Sequence, residues 1–144
     1  PLFPESSKIF AACKTWVQMG GQEIPAAYDP VIYWKKPGAL RRPAGRDWHL
    51  GNTMRRDGVY DAGFHSCPRP LDTIFWMVDK FSEQNTVVVD FFGGSGTTAV
   101  ACKMLHRNYL AFEIDPDTAQ LARERVRNTQ SPLPLTMPTQ EGLL

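Results

Sequence analysis

The chain has 144 residues, 42% hydrophobic and 22% charged, with 16 basic and 15 acidic side chains for a formal net charge of +1, the profile of one soluble globular domain. No run approaches the ~18 uninterrupted apolar residues of a membrane span, and no basic, apolar, small-residue series marks a secretory leader, so an intracellular setting is expected. Cys13, Cys67 and Cys102 are odd in number and lack Cys-x-x-Cys spacing, which argues against a disulfide framework and against a thiolate zinc site; reduced thiols are expected.

In chain order, the first expected element is a short helix over residues 7–18, with Ser6 and Ser7 as N-cap candidates and Gly20 and Gly21 closing it. Pro30-Val-Ile-Tyr-Trp34 is a β-rich run. It leads into a strongly basic stretch, where Lys35, Lys36, Arg41, Arg42, Arg46, Arg55 and Arg56 face the single acid Asp47, so the rest of the chain is net acidic. Pro37, Gly38, Pro43, Gly45 and Gly51 break this stretch, while Trp34, Trp48 and His49 interleave it; it reads as an irregular basic loop suited to a polyanion. Taken alone, a loop whose charges merely keep it solvated is the simpler reading. From Pro70 to about Ser82, Leu71, Ile74, Phe75, Val78 and Phe81 recur at helical spacing, with Pro70 suited to a first turn.

The most informative segment runs from Thr86 to Arg127. Thr86-Val-Val-Val89 is β-branched and apolar on both faces, the pattern of a central parallel strand. It ends in Asp90, followed by Phe91-Phe-Gly-Gly-Ser-Gly-Thr-Thr98, whose glycines permit a tight turn and close approach of a ligand, and a helix over 97–104 directs its N-terminal N–H groups at the same place. A second β run, Tyr109-Leu-Ala-Phe112, ends in Glu113-Ile-Asp115, and Pro116 opens a helix through Arg127 with Ala119, Leu121, Ala122 and Val126 on its inner face. Strand, glycine turn, helix, strand and acid form a crossover unit with a ligand crevice at the strand ends. The Asp90-to-Glu113 separation is close to the ~20 residues at which a carboxylate meets ribose hydroxyls on the neighbouring strand. From Gln130 the proline-rich tail reads as extended or disordered.

Gly94-Ser-Gly-Thr-Thr-Ala99 also fits the G-x-G-x-x-A dinucleotide fingerprint. A pyrophosphate, however, is poorly served by an anionic Asp90 at the strand tip, whereas a ligand bearing an ammonium group and a ribose, as S-adenosylmethionine does, suits Asp90 and Glu113 together. No lysine follows Gly96, which excludes a phosphate-binding P-loop. His49, His65 and His106 lack metal-ligand spacing, so no metal is expected.

His65-Ser-Cys-Pro-Arg-Pro-Leu71, the loop 87–98 and Tyr109-Leu-Ala-Phe-Glu-Ile-Asp115 together resemble the C-terminal half of the DNA amino-methyltransferases, the adenine-N6 and cytosine-N4 methylase family. The likeness is strongest from about Cys67 to Arg127, with Phe92 and Gly93 departing from the commoner proline and alanine of the loop. It implies an α/β, Rossmann-like, S-adenosylmethionine-dependent methyltransferase fold with a mostly parallel sheet, here incomplete. By resemblance, Pro68, Arg69 and Pro70 lie beside the cofactor, and Asp90, Phe91, Phe92, Gly93, Gly94, Ser95, Gly96 and Thr97 form its pocket. Glu113 takes the ribose hydroxyls, with Ile114 against the adenine. Ile32-Tyr-Trp-Lys35 resembles the family's strand before its variable recognition segment, which assigns the basic loop to double-stranded DNA.

The motif order matches the permuted branch, in which the catalytic strand precedes the glycine loop. That branch uses Asp, Ser or Asn followed by Pro-Pro and an aromatic residue to hold a flipped-out base. No such tetrapeptide occurs; Asp29-Pro30-Val31 shares only two residues with it, and the start at Pro1 leads us to expect a missing N-terminal catalytic segment. Cys67-Pro68 has the reverse order of a cytosine-C5 nucleophile. The implied organisation is a partial catalytic and target-recognition region over 1–64 with the basic loop at 35–56, an S-adenosylmethionine-binding subdomain over 65–128, and a tail over 129–144. The implied role is cytoplasmic DNA methylation in a bacterial or phage restriction-modification setting, with the chain alone expected to be inactive and a missing N-terminal half or a second copy of the chain expected as its partner. An NAD-binding oxidoreductase fragment and a nonenzymatic DNA-binding or assembly module are the alternatives.

Overall fold

The computed structural model describes residues 7–14, 28–34, 46–51 and 69–130. In chain order these form β1 (Lys8–Lys14), β2 (Tyr28–Tyr33), β3 (Trp48–Gly51), α1 (Leu71–Phe81), β4 (Val87–Asp90), α2 (Thr97–Met104), β5 (Asn108–Ala111) and α3 (Pro116–Asn128).

The β4–α2–β5 unit is the part that positions the site. β4 and β5 pair in parallel, Val87 opposite Asn108 through Asp90 opposite Ala111. A parallel pair needs a crossover, and α2 supplies it. The sequence Thr-Thr-Ala-Val-Ala-Cys-Lys-Met has small apolar residues on more than one face, and Ala99, Val100, Ala101 and Cys102 are all buried. A helix apolar on several sides must be covered on several sides. Ala101 and Cys102 meet Val78 with Leu71, Ile74 and Phe75 of α1 and Val88 of β4, while Ala99 and Val100 meet Val126 of α3. Burial pushes the Cys102 thiol up to about 11, so it stays protonated.

Helix α1 follows from its i, i+3, i+4, i+7 apolar row, with Asp72 in the first turn and Lys80 in the last complementing the helix dipole. Pro70 is its N-cap rather than a residue of its first turn. Buried Lys80 is accommodated because its Nζ donates to the Arg46 carbonyl at 2.6 Å and lies over the Phe10 and Trp76 rings. Arg107, before β5, ties that strand to the end of α1 through Ser82 and Asp79. Pro116 opens α3 behind an Asp115 N-cap whose Oδ2 accepts the Thr118 N–H at 2.8 Å, and Lys103 Nζ donates to the Val126 and Arg127 carbonyls at its other end.

The expected helix over 7–18 is instead strand β1 in the described part of that segment. Phe10 and Ala12 are buried while Ile9 is exposed, a period of two. The reason is long-range. Phe10 stands edge-on to Tyr33 and Phe81, which stack on each other at 4.9 Å between centroids, and β1 is the middle strand of a β2-β1-β3 sheet. It runs antiparallel to β2 and parallel to β3. A second correction concerns the basic loop: Trp48–Gly51 is a regular strand within it. The Ala11 N–H donates to Asp47 on the β3 side, so the Ala11–Pro30 position is a pair without ladder bonds and Pro30's missing N–H faces the outer edge of β2. The third correction is to β4. Among the described residues it pairs only with β5, and Val87 and Val89 are exposed rather than covered on both faces.

Candidate functional site

β4 ends where its chain must leave the sheet, and a short set of backbone bonds fixes how. Asp90 Oδ1 accepts the Phe92 N–H at 3.0 Å, forming an Asx-type turn. The Phe112 N–H donates to the Asp90 carbonyl at 2.9 Å and the Gly93 N–H to the Phe112 carbonyl at 2.7 Å, which extends the β4–β5 association into the loop. A Cβ at Gly93 would stand 3.2 Å from the Phe112 oxygen and 3.3 Å from Ala111, so glycine lets the two segments approach. The Gly96 N–H then donates to the Gly93 carbonyl at 2.9 Å, and Gly96, with φ +79°, is the N-cap of α2.

Glu113, just past β5, reaches back to this turn. Its Oε2 accepts the Gly94 N–H at 2.8 Å and its Oε1 the Asp115 N–H at 3.0 Å. The Asp115 and Gly94 N–H donors hold its carboxyl below the usual carboxylate range, so it is an anion at neutral pH. Around it lies a cavity of about 760 Å³ lined by Phe91, Phe92, Gly93, Gly94, Gly96, Glu113 and Ile114, with Tyr109, Phe112 and the inner side of α3. Phe91 stacks on Phe112 at 5.8 Å, whereas Phe92 and Ile114 are almost fully exposed apolar side chains beside Glu113. Water-facing apolar groups around a fixed carboxylate suit a ligand with a flat apolar part and hydroxyls.

The structure divides the residues that the sequence groups together. Asp90 lines a different cavity, of about 660 Å³, formed by α1 and β4 with Ile74, Met77, Val78, Phe81 and Thr98. Ser95 and Thr97 line neither; they are buried, and their hydroxyls accept from Arg125 Nη1 of α3 at 3.3 and 3.0 Å. Arg69 is exposed with its guanidinium 4.0 Å from the Asp29 carboxylate, and Pro70 caps α1. Pro68 lies outside the described residues, as do Lys35, Lys36, Arg41, Arg42, Arg55 and Arg56. Of the basic loop's cations Arg46 is described, exposed and 5.0 Å above the Trp48 ring. Sequence reasoning places Ala122 on the inner face of α3 but misses Arg125; the available signal is its i, i+3 spacing from Ala122 on a helix whose small residues face the glycine turn.

The close fit at Gly96 makes a sharp expectation. A Cβ there would sit 2.9 Å from Ala122 Cβ and 3.2 Å from its Cα, on a residue already in the left-handed region. Gly96→Ala is expected to destabilise the fold by roughly 2 kcal/mol or more, combining left-handed strain with overpacking against helix backbone. A denaturant midpoint unchanged from wild type would refute it.

A family model described as a DNA methylase, of N6/N4 methyltransferase type, matches residues 14–124, and the chain belongs to that family. The Type II methyltransferase M.HindIII of Haemophilus influenzae is 32% identical over 135 residues, covering 77% of this chain and 44% of that one. M1.MboII of Moraxella bovis is 31% identical over 84 residues, covering 56% and 32%. The chain spans less than half the length of these relatives. The crystal structure of an M1.HpyAVI–SAM complex shares the fold at TM-score 0.63 and 18% identity, covering 84% of this chain and 63% of that one. TTHA0409 of Thermus thermophilus, solved with S-adenosyl-L-methionine, aligns at TM-score 0.56 and 25% identity, covering 84% and 51%. The α/β methyltransferase fold implied by the sequence motifs is thus the fold observed.

Proposed function

We propose that this chain is the S-adenosylmethionine-binding portion of a DNA methyltransferase that modifies the exocyclic amino group of adenine (N6) or cytosine (N4). The observation that carries this reading is the Glu113 carboxylate bonded to the Gly94 N–H across a parallel β4–β5 pair, inside an apolar cavity of ligand size. The residues suit the cofactor: Glu113 offers an anionic acceptor for ribose hydroxyls, Phe92 and Ile114 offer apolar surface for a purine, and Asp90 offers a carboxylate for an ammonium group. When bound, S-adenosylmethionine supplies the electrophilic methyl group. The chain's own part is to bind and orient it, with Glu113 exchanging a backbone donor for the ribose.

Double-stranded DNA is the substrate on this reading. The cations of 35–56 contact its phosphates, with Arg46 on Trp48 as the described representative. Among the described residues one edge of β4 is unpaired, flanked by exposed Val87 and Val89 and the α1 groove, which supports a further strand there. A strand carrying the Pro-Pro catalytic tetrapeptide, in the permuted order and from a segment N-terminal to the glycine loop, completes the sheet on this reading.

The reading is tested by titrating the chain with S-adenosylmethionine, its demethylated product and NAD in a calorimeter. Binding of the first two, with NAD weaker, is expected because a pyrophosphate gains nothing from Asp90 or Glu113. Equal or tighter NAD binding overturns it in favour of a dinucleotide site.

A further inference from the structure

We infer that Arg125 of α3 is a positioning residue for the glycine turn, holding the Ser95–Gly96 peptide in the orientation that receives the cofactor; this rests on the reading of that turn as the S-adenosylmethionine site. Arg125 Nη1 lies 3.1 Å from the Ser95 carbonyl oxygen, 3.3 Å from Ser95 Oγ and 3.0 Å from Thr97 Oγ1. Ser95 and Thr97 are only 3% and 5% exposed, so water is excluded from the acceptors that Arg125 serves. The Ser95 carbonyl and the Gly96 N–H belong to one planar peptide unit. Arg125 holds one end of that plane, and the Gly93 carbonyl, 2.9 Å from the Gly96 nitrogen, holds the other.

This matters because the plane leads into a glycine of positive φ, +79° at Gly96, while Gly94, on the far side of Ser95, also has positive φ, +51°. Glycine populates positive and negative φ almost equally, so sterics on the Gly96 side restrain this peptide weakly and its orientation rests on the hydrogen bonds at its two ends. Ala122, one turn before Arg125 on the same helix, abuts Gly96 and fixes where that residue can sit, but it offers no hydrogen bond to set the direction of the peptide. The Gly93 carbonyl fixes the N–H end from within the turn, and the direction of the C=O end comes from a charged donor on α3. It decides where the turn's N–H and C=O groups point beside the cavity that Gly93, Gly94 and Gly96 line. A charge-assisted bond in a water-excluded setting is suited to this task.

The test uses the full chain, titrated with S-adenosylhomocysteine well below each variant's melting temperature, and backbone amide spectra of the ligand-free protein. Arg125→Ala is expected to raise Kd about tenfold or more, the loss typical of a hydrogen bond from a charged group. The Gly94 and Gly96 amide resonances should shift or broaden in the same variant. Thr97→Val, which removes one acceptor at nearly constant volume, should weaken binding about threefold in the wild-type background and have no added effect beside Arg125→Ala. Wild-type affinity and unshifted glycine resonances in Arg125→Ala, or strictly additive effects of the two changes, overturn the inference and leave Arg125 a packing residue. Should Arg125→Ala not fold, Thr97→Val alone decides it by the same two readouts. A wild-type chain that ignores S-adenosylhomocysteine overturns the reading of the site itself, whereas binding that is indifferent to Arg125 overturns only this role.

Discussion

Asp90→Ala is expected to weaken binding of S-adenosylmethionine more than any other single change in the glycine loop, by at least about tenfold. The side chain has two jobs that a pair of variants separates. Its Oδ1 accepts the Phe92 N–H and so shapes the turn, and the residue lines the α1–β4 cavity, where on the proposed reading its charge holds an ammonium group. Asp90→Asn keeps an acceptor for Phe92 and removes the charge. If charge is what binds, Asn and Ala should weaken affinity almost equally, because truncating one partner of a close charge pair costs about 2 to 5 kcal/mol. If the turn is what matters, Asn should bind as wild type does. Calorimetry on the three proteins gives the answer, and an undiminished affinity in Asp90→Ala would remove this residue from the site.

The second large effect concerns turnover. The sequence contains no Pro-Pro pair, and hence no tetrapeptide of the kind that holds a flipped base beside the methyl group. Binding cofactor does not by itself place an amino nitrogen in line for attack, and proximity and orientation contribute on the order of 7 to 11 kcal/mol in favourable cases. This 144-residue chain is therefore expected to transfer no measurable methyl groups to DNA. Supplying an Asp-Pro-Pro-Tyr-type segment from a longer relative, fused or in trans, should restore transfer. The assay is incorporation of radiolabelled methyl into duplex DNA. Robust turnover by the chain alone would mean that a residue described here has taken the catalytic role; Asp29, beside Arg69, and Tyr33, stacked on Phe81, are the first to mutate.

The stretch from Thr86 to Arg127 is legible in the sequence because its signals are local. Three consecutive valines, glycines at the turn, and a proline behind an aspartate each dictate backbone geometry without help from distant residues, and the observed elements fall within a residue or so of the expected ones. The N-terminal part is different. Ile9-Phe-Ala-Ala-Cys13 is an unbroken apolar run that satisfies helix and strand alike, and the choice is made by Tyr33, Phe81 and two flanking strands far along the chain. β3 escapes notice for a related reason. Trp48-His-Leu-Gly51 is too short to show alternation, and its neighbours' glycines, prolines and charges read as a loop.

At the site, residue types are legible and their orientations are not. Spacing pairs Asp90 with Glu113, yet the two line separate cavities, because a strand-end carboxylate can turn to either side of its sheet. The pattern likewise credits Ser95 and Thr97 to the ligand, although both hydroxyls are directed at Arg125. Only the placement of α3 settles that, and no local feature of the glycine loop encodes it.

Pro30 gives the three-stranded sheet a closed side. A strand arriving from another molecule along β2 would find no donor at that position and a ring in its path, which interrupts templated growth in that direction. Among the described residues β4 has no such guard, since Val87-Val-Val89 keeps every backbone donor, pairs with β5 alone and carries exposed β-branched side chains. Aggregation during expression, where it occurs, is therefore expected to begin on the same strand that bears the glycine turn. A charged substitution at Val87, the valine most accessible and farthest from Asp90, is the change best placed to act as a gatekeeper there.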